Sequence, residues 1–248
     1  MRQTPESSHH EMTTSPVIVA LDVESAADAR VLLEKLGDSA SFYKVGLELY
    51  TSAGMDFVRE LKGQGKRVFV DLKLYDIGET VRRAAAQVAR VGADFLSIHG
   101  SRAVMEAAVS GKNEGGRQGE SGGGLKLLAV TVLTSFDESD LKQMGYPCPV
   151  FELVELRVRN AREAGVEGIV CSPLEVARVR AIAGPDAILV TPGVRSAGAA
   201  AGDQKRVATP AEAMANGANY LVIGRQVTRA ADPRGEMQRI LDELAAMA

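Results

Sequence analysis

Eight short apolar runs, each followed by a stretch with helical spacing, limit the fold of this chain more than any other feature. The runs are apolar almost without interruption, and they cover residues 16–22, 42–49, 67–74, 94–100, 125–133, 168–172, 187–194 and 220–227. Such runs are typical of parallel strands that are buried on both faces. Between them, apolar residues recur every three or four positions, most clearly in residues 26–36, 55–61, 79–91, 150–164 and 234–247. Eight strand–helix units in 248 residues predict an α/β protein with a single (β/α)8 TIM barrel as its catalytic domain over residues 16–248, with an open doubly wound sheet as the alternative.

Three segments do not fit this alternation. Residues 1–15 are polar, and we expect them to form a disordered N-terminal tail because they lack the apolar core of a signal peptide. Residues 111–124 (GKNEGGRQGESGGG) are polar and rich in glycine, which predicts a mobile surface insertion after the fourth helix. Residues 196–204 (SAGAAAGDQ) follow the seventh strand, so they fall on the face of the barrel where ligands bind.

Composition excludes several classes of function. The formal net charge of −3 gives no long-range attraction for nucleic acid or anionic membrane, and no apolar run is long enough to span a bilayer. Two cysteines, Cys148 and Cys171, cannot form a disulfide framework, so we expect a cytoplasmic protein. His99 is the only histidine outside the tail, which excludes a zinc hydrolase built on several histidines. It ends the fourth run, and we interpret it as a hydrogen-bonded structural residue, with a position lining the site as the alternative. The motifs of common nucleophilic hydrolases and dinucleotide enzymes are also missing, which leaves the chemistry to carboxylates, ammonium groups and guanidinium groups.

Charged residues interrupt three consecutive apolar runs. The first run ends at Asp22, the second contains Lys44, and the third reads VFVDLKLYDIG, with Asp71, Lys73 and, just beyond it, Asp76. Because side chains alternate along a strand, Asp71 and Lys73 project to the same side. Taken singly, each residue fits a helix cap or a solvated strand end. Together they are costly to bury unless they pair, so the group predicts a catalytic row at the barrel mouth.

The last two runs predict a phosphate site. They continue into LVTPGVR and LVIGRQV, so Arg195 and Arg225 can each present a planar pair of donors to phosphate oxygens, although either alone also fits a surface salt bridge. Gly224 would let a phosphate approach the backbone. After the fifth run, Thr134 and Ser135 are suited either to hydrogen-bond a polar ring or to cap a turn.

Read in order, the segments VALD, YKVGLEL, DLKLYDI, VTVLTS, VTPGVR, AGDQ and VIGR resemble the bacterial orotidine 5′-phosphate decarboxylase family over nearly the whole barrel. The resemblance implies decarboxylation of orotidine 5′-phosphate to UMP in de novo pyrimidine biosynthesis, without a metal or cofactor. It makes Lys73 the group that protonates the C6 carbanion, within a charged network of Lys44, Asp71, Lys73 and Asp76.

The resemblance also implies where the substrate binds. It places Asp22 and Lys44 near the ribose hydroxyls and Thr134 and Ser135 against the pyrimidine. The implied substrate contacts are Asp22, Lys44, Asp71, Thr80, Thr134, Ser135, Pro192, Arg195, Gln204, Gly224 and Arg225. Of these, the last four are expected to hold the phosphate, with residues 196–204 closing as a lid. A homodimer is implied, in which Asp76 and Thr80 are shared across subunits.

Two alternatives remain at this point. A sister enzyme of the same barrel group, a sugar-phosphate decarboxylase or aldolase, would share the D-x-K-x-x-D pattern but depend on Mg²⁺. A non-catalytic sensor of phosphate ligands would need only the two arginines. The chain also reads DIGET over residues 76–80 where many bacterial family members read DIPNT, and this difference concerns the shape of the loop after the third strand.

Overall fold

The computed structural model describes residues 15–116, 124–196 and 208–246. Eight parallel strands hydrogen-bond in sequence order, and the last pairs with the first, so the sheet is a closed barrel and the open-sheet alternative is wrong. The strands are β1 (Val17–Ala20), β2 (Phe42–Gly46), β3 (Arg67–Leu74), β4 (Phe95–His99), β5 (Lys126–Val130), β6 (Gly168–Val170), β7 (Ile188–Thr191) and β8 (Tyr220–Ile223).

Helices connect the strands around the outside of the barrel. In the described ranges they are α1 (Ala26–Leu36), α2 (Leu47–Gly63), α3 (Gly78–Arg90), α4 (Arg102–Gly116), α5 (Glu138–Gln143), α6 (Val150–Glu163), α7 (Val176–Ala183), α8 (Pro210–Ala215), α9 (Arg225–Thr228) and α10 (Pro233–Ala245). Helix α2 is interrupted at Gly54, whose φ of 65° is left-handed. None of these helices is long and apolar enough to cross a membrane. The cytoplasmic location stays a prediction.

Side-chain alternation divides the core into two layers. Ile18, Ala20, Phe42 and Phe69 belong to the cluster inside the barrel. The strand residues that alternate with them, such as Val19, pack against the helices. At the N-terminal end of the barrel, the Arg67 guanidinium lies 4.1 Å from the centre of the Phe42 ring. At the other end, the same inward-facing series runs on into charged residues, and this continuation creates the site described below.

Several predicted strands extend too far. Residues 47–49 (LEL) belong to the start of α2, although their leucines are apolar enough to extend β2, and residues 225–227 (RQV) belong to α9, although only Val227 is apolar. Periodicity alone does not separate the end of a buried strand from a buried first helical turn.

The prediction of a mobile insertion over residues 111–124 is wrong for its first part. Helix α4 continues to Gly116, and Gly111 and Gly115 are buried against helix α3. A Cβ atom at Gly111 would overlap the backbone carbonyl of Arg82, so glycine here permits close helix packing instead of breaking the helix. Residues 117–123, like residues 1–14 of the predicted tail, lie outside the described residues.

Candidate active site

A cavity of about 470 Å³ opens at the C-terminal ends of the strands. The predicted residues that line it are Asp22, Lys44, Asp71, Lys73, Thr134, Ser135, Pro192, Arg195, Gly224 and Arg225. Another cavity, of about 400 Å³, lies at the opposite end of the barrel around Arg67, and no predicted site residue lines it. The barrel therefore brings together residues that are up to about 200 positions apart in the chain.

The charged row is formed as predicted by Asp22, Lys44, Asp71 and Lys73. The Lys44 ammonium lies 2.7 Å from Asp22 Oδ1 and 3.5 Å from Asp71 Oδ2. The Lys73 ammonium lies 2.8 Å from Asp71 Oδ1. Charges of opposite sign thus alternate along three adjacent strands.

Pairing keeps the buried members of this row charged. Burial alone would raise the pKa of the Asp71 carboxyl, but the ammonium groups of Lys44 and Lys73 together hold it below its usual value. Burial would likewise lower the pKa of Lys44, but the carboxylates of Asp71 and Asp22 raise it above its usual value. The site therefore holds a carboxylate next to the ammonium group of Lys73, whose side chain is 41% exposed and lines the cavity.

Two backbone features let these charges meet. Gly46 ends β2 beside the row, and a Cβ atom there would lie 2.7 Å from the Lys44 ammonium. Lys73 has a φ of 49°, and it is the only non-glycine residue of the described ranges with a positive φ. The pairing of β3 with β4 is irregular between Val70 and Leu74, which is where this residue lies.

The opposite wall of the cavity is suited to an anion. Arg195 and Arg225 both line it, and burial lowers the pKa of Arg195, with a further lowering by the positive charge of Arg225. A bound dianion would oppose this repulsion. Arg229 also lines the cavity, although no sequence pattern selects it. Gly224 lies between β8 and α9, where a Cβ atom would come 3.4 Å from Ala20 Cβ.

Thr134 and Ser135 occupy the loop after β5, next to the apolar side chains of Val130 and Val132, which also line the cavity. Pro192 lines it from the loop after β7. This part of the cavity combines apolar contact surface with hydroxyl groups, a combination that suits a planar polar ring.

Two of the predicted residues that the structure describes are not brought into this cavity. Asp76 is exposed, and its Oδ1 atom accepts a hydrogen bond of 2.6 Å from the backbone N–H of Ile77. Thr80 is exposed in the first turn of α3. Neither lines the cavity of its own subunit. Gln204, with most of the predicted lid, lies outside the described residues.

His99 differs from its interpretation as a hydrogen-bonded residue. Its ring stacks on Tyr75 at 4.1 Å between centroids, and its buried Nδ1 atom has no hydrogen-bond partner in the described part of the chain. Burial, together with the charge of Arg157, lowers the pKa of His99 to about 4. The imidazole is therefore neutral at pH 7, and it lines a smaller apolar cavity beside the main one.

Sequence reasoning also missed Ser97, which is fully buried in β4 and hydrogen-bonds Asp71. The available signal was a single hydroxyl in the apolar run FLSIH, on the strand that follows the charged pair. Within the described ranges, no group of three or more histidine, cysteine, aspartate or glutamate side chains is arranged to hold a metal ion.

Comparisons with known proteins identify the family and agree with the barrel fold. A model of the orotidine 5′-phosphate decarboxylase / HUMPS family matches residues 15–240. The orotidine 5′-phosphate decarboxylase of Rhodopseudomonas palustris (strain BisB5) is 52% identical over 229 residues, which are 92% of this chain and 94% of that protein. The corresponding protein of Afipia carboxidovorans is 48% identical and covers 99% of both chains. A crystal structure of orotidine 5′-phosphate decarboxylase from Lactobacillus acidophilus superposes with a TM-score of 0.81 at 36% identity, over 92% of this chain and 98% of that one.

Proposed function

Because this chain belongs to the orotidine 5′-phosphate decarboxylase / HUMPS family, we propose that it converts orotidine 5′-phosphate to UMP without a metal or cofactor and that Lys73 supplies the proton. Its relatives make it a carboxy-lyase of pyrimidine biosynthesis. The observation that carries the finer proposal is the pairing of a buried carboxylate, Asp71, with the cavity-facing ammonium group of Lys73 at 2.8 Å.

Decarboxylation breaks the bond between C6 and the carboxyl carbon, and the electron pair stays on C6. No carbonyl of the ring is placed to delocalise that pair, so the site must stabilise it electrostatically. The Lys73 ammonium attracts the developing negative charge and then donates a proton to C6. The resulting amine is partly exposed and can regain a proton from water.

Asp71 contributes through its fixed charge. Placed next to the substrate carboxylate, it repels that group more strongly than the departing neutral CO2, so the repulsion falls as the reaction proceeds. The lysines on either side keep Asp71 ionised for this role.

The phosphate group is proposed to bind Arg195 and Arg225. Their guanidinium groups can form charge-assisted hydrogen bonds with a dianion. Contacts so far from C6 orient the ring against Lys73, and their binding energy supports the reaction only through that orientation.

We further propose a homodimer in which Asp76 and Thr80 contribute to the neighbouring site. Asp76 lies between Tyr75 and Ile77, whose side chains are 69% and 77% exposed, on the side of the barrel that carries the cavity. Exposed apolar side chains around a carboxylate that does not reach its own cavity favour an interface between copies of the chain.

The test is a spectroscopic assay with orotidine 5′-phosphate, with and without EDTA. We expect turnover that EDTA does not change. Lys73→Ala should abolish turnover yet bind UMP nearly as the parent does, because the lost group acts mainly on the carbanion. Lys62→Ala is the matched control, since Lys62 also forms a 2.7 Å ion pair with an aspartate, Asp94, but does not line the cavity.

Two results would contradict the proposal. Turnover that is lost with EDTA and restored by Mg²⁺ would favour the sugar-phosphate enzymes of the same barrel group. A Lys73→Ala variant that keeps more than a few per cent of parental turnover would remove Lys73 as the proton donor.

A further inference from the structure

Ser97 makes two hydrogen bonds, and both go to the pair of residues proposed to act on C6. Its hydroxyl donates to Asp71 Oδ1 at 2.7 Å and accepts from the backbone N–H of Lys73 at 2.9 Å. The residue is completely buried in β4, one strand away from its partners. The hydroxyl therefore acts both as a donor and as an acceptor.

The irregular pairing of β3 and β4 explains why a side chain is needed here. Val70 is opposite Leu96, but the next aligned pair is Leu74 with Ile98, so β3 uses four residues where β4 uses two. The extra residues place Lys73 in the left-handed region, where a non-glycine residue is strained. Its N–H is met by Ser97 Oγ instead of by a strand carbonyl.

A closed ring of contacts results. Asp71 Oδ1 accepts from Ser97 Oγ at 2.7 Å and from Lys73 Nζ at 2.8 Å, so one carboxylate oxygen sets the position of the ammonium relative to the hydroxyl. The same hydroxyl holds the backbone of Lys73. Ser97 Oγ on β4 therefore holds the backbone of Lys73 directly and its ammonium group through Asp71 Oδ1.

We propose that Ser97 is a positioning residue that holds Lys73 and Asp71 in the geometry needed for proton transfer. The inference deepens the proposed function and rests on it for its kinetic test. Other buried hydroxyl groups near the site do not act this way. Thr131 Oγ1, for example, donates to the backbone carbonyl of Val170.

The kinetic test compares Ser97→Ala, Ser97→Thr and a matched control, Ser172→Ala. Ser172 is equally buried two residues after β6, and its hydroxyl accepts from the N–H of Leu174 without touching the charged row. Loss of the Ser97 hydroxyl should lower kcat about 10- to 100-fold, because small misplacements of reacting groups have effects of that size. KM and the Kd of UMP should change by less than about twofold, since phosphate contacts lie on the opposite wall.

Two readouts separate positioning from simple stability. The acid limb of the kcat profile of Ser97→Ala should move to higher pH, because the hydrogen bond from Ser97 helps to lower the pKa of Asp71. Ser97→Thr keeps the hydroxyl and should restore most of kcat. A purely structural role would lower the Tm but leave kcat per folded site and its pH profile unchanged, and that result would overturn the proposal.

A crystal structure of Ser97→Ala gives a test that needs no substrate. The proposal requires the Lys73 ammonium to leave its 2.8 Å contact with Asp71 or the φ of Lys73 to leave the left-handed region. An unchanged Lys73 would overturn the inference even if the parent does not turn over orotidine 5′-phosphate. A parent without activity would refute the proposed function, whereas an active parent matched by Ser97→Ala would refute only the role of Ser97.

Discussion

Subunit exchange between two inactive variants tests whether each site uses residues from both chains. Lys73 lines the cavity of its own barrel, whereas Asp76 does not, although it projects from the same end. If Asp76 completes the partner's site, Asp76→Ala and Lys73→Ala homodimers should each be nearly inactive. A mixed dimer would then hold one site with both lesions and one site with neither.

The expected recovery follows from two-fold symmetry. Equal mixing makes about half of the dimers mixed, and half of the sites in each mixed dimer are intact, so about a quarter of the parental activity should return. Should Asp76 act within its own subunit, every site would carry one lesion and nothing would return. A shared site therefore predicts recovery of about a quarter of the parental activity, whereas a site built from one subunit predicts none.

The assay follows turnover of orotidine 5′-phosphate after exchange, with exchange itself measured by mass spectrometry of differently tagged subunits. Asp71→Asn mixed with Lys73→Ala is the control, because both residues line the same cavity and no intact site can form. Demonstrated exchange without recovery in the Asp76 mixture would refute the shared site, and recovery in the control would show that the assay does not report on cis and trans lesions.

Three further predictions concern binding, packing and acid stability. Arg225→Ala should weaken the binding of UMP about 10- to 100-fold in calorimetry but leave the binding of uridine unchanged, because a charge-assisted contact with phosphate is lost. A variant that binds UMP with parental affinity would remove the phosphate assignment. The control is Arg30→Ala, which disrupts an ion pair away from the cavity. Gly111→Ala should destabilise the fold by about 1–3 kcal/mol and lower the Tm by several degrees, because its Cβ would overlap helix α3. Gly116→Ala, with open space around it, should not lower the Tm, and equal effects of the two changes would contradict this packing. The pKa of Asp71 is lowered in the folded protein, so its negative charge should stabilise the parent relative to Asp71→Asn. This stabilisation should be complete above about pH 4 and should decrease as the pH falls through the folded pKa. A Tm difference between the two proteins that does not change with acid would be inconsistent with that shift.

The fold could be predicted because eight continuously apolar runs alternate with helical spacing, and the charged row could be predicted because side chains alternate along a strand. Phe69, Asp71 and Lys73 alternate with outward-facing residues, so charge at one end of the strand has to lie at the barrel mouth. The role of Ser97 could not be predicted in this way. That role depends on the register shift between β3 and β4, and a single serine in β4 does not indicate that β3 is irregular.

The error at residues 111–116 has a different cause. Glycine was interpreted as a sign of a loop, yet Gly111 and Gly115 are spaced by four and so lie on one face of a helix. That spacing is also the pattern of close helix contact, and composition alone does not distinguish the two meanings. The sequence of one chain likewise does not place Asp76 in a cavity, because its proposed role requires a second copy of the chain.

The glycine contact between α3 and α4 also affects how the loop before α3 is presented. With no side chains separating them at Gly111 and Gly115, the two helices are held backbone to backbone and resist sliding or rocking against each other. Asp76 stands two residues before the first residue of α3, so its loop starts from the stiff end of this helix pair. In the proposed dimer, a loop anchored in this way loses less conformational entropy on association than a free loop would.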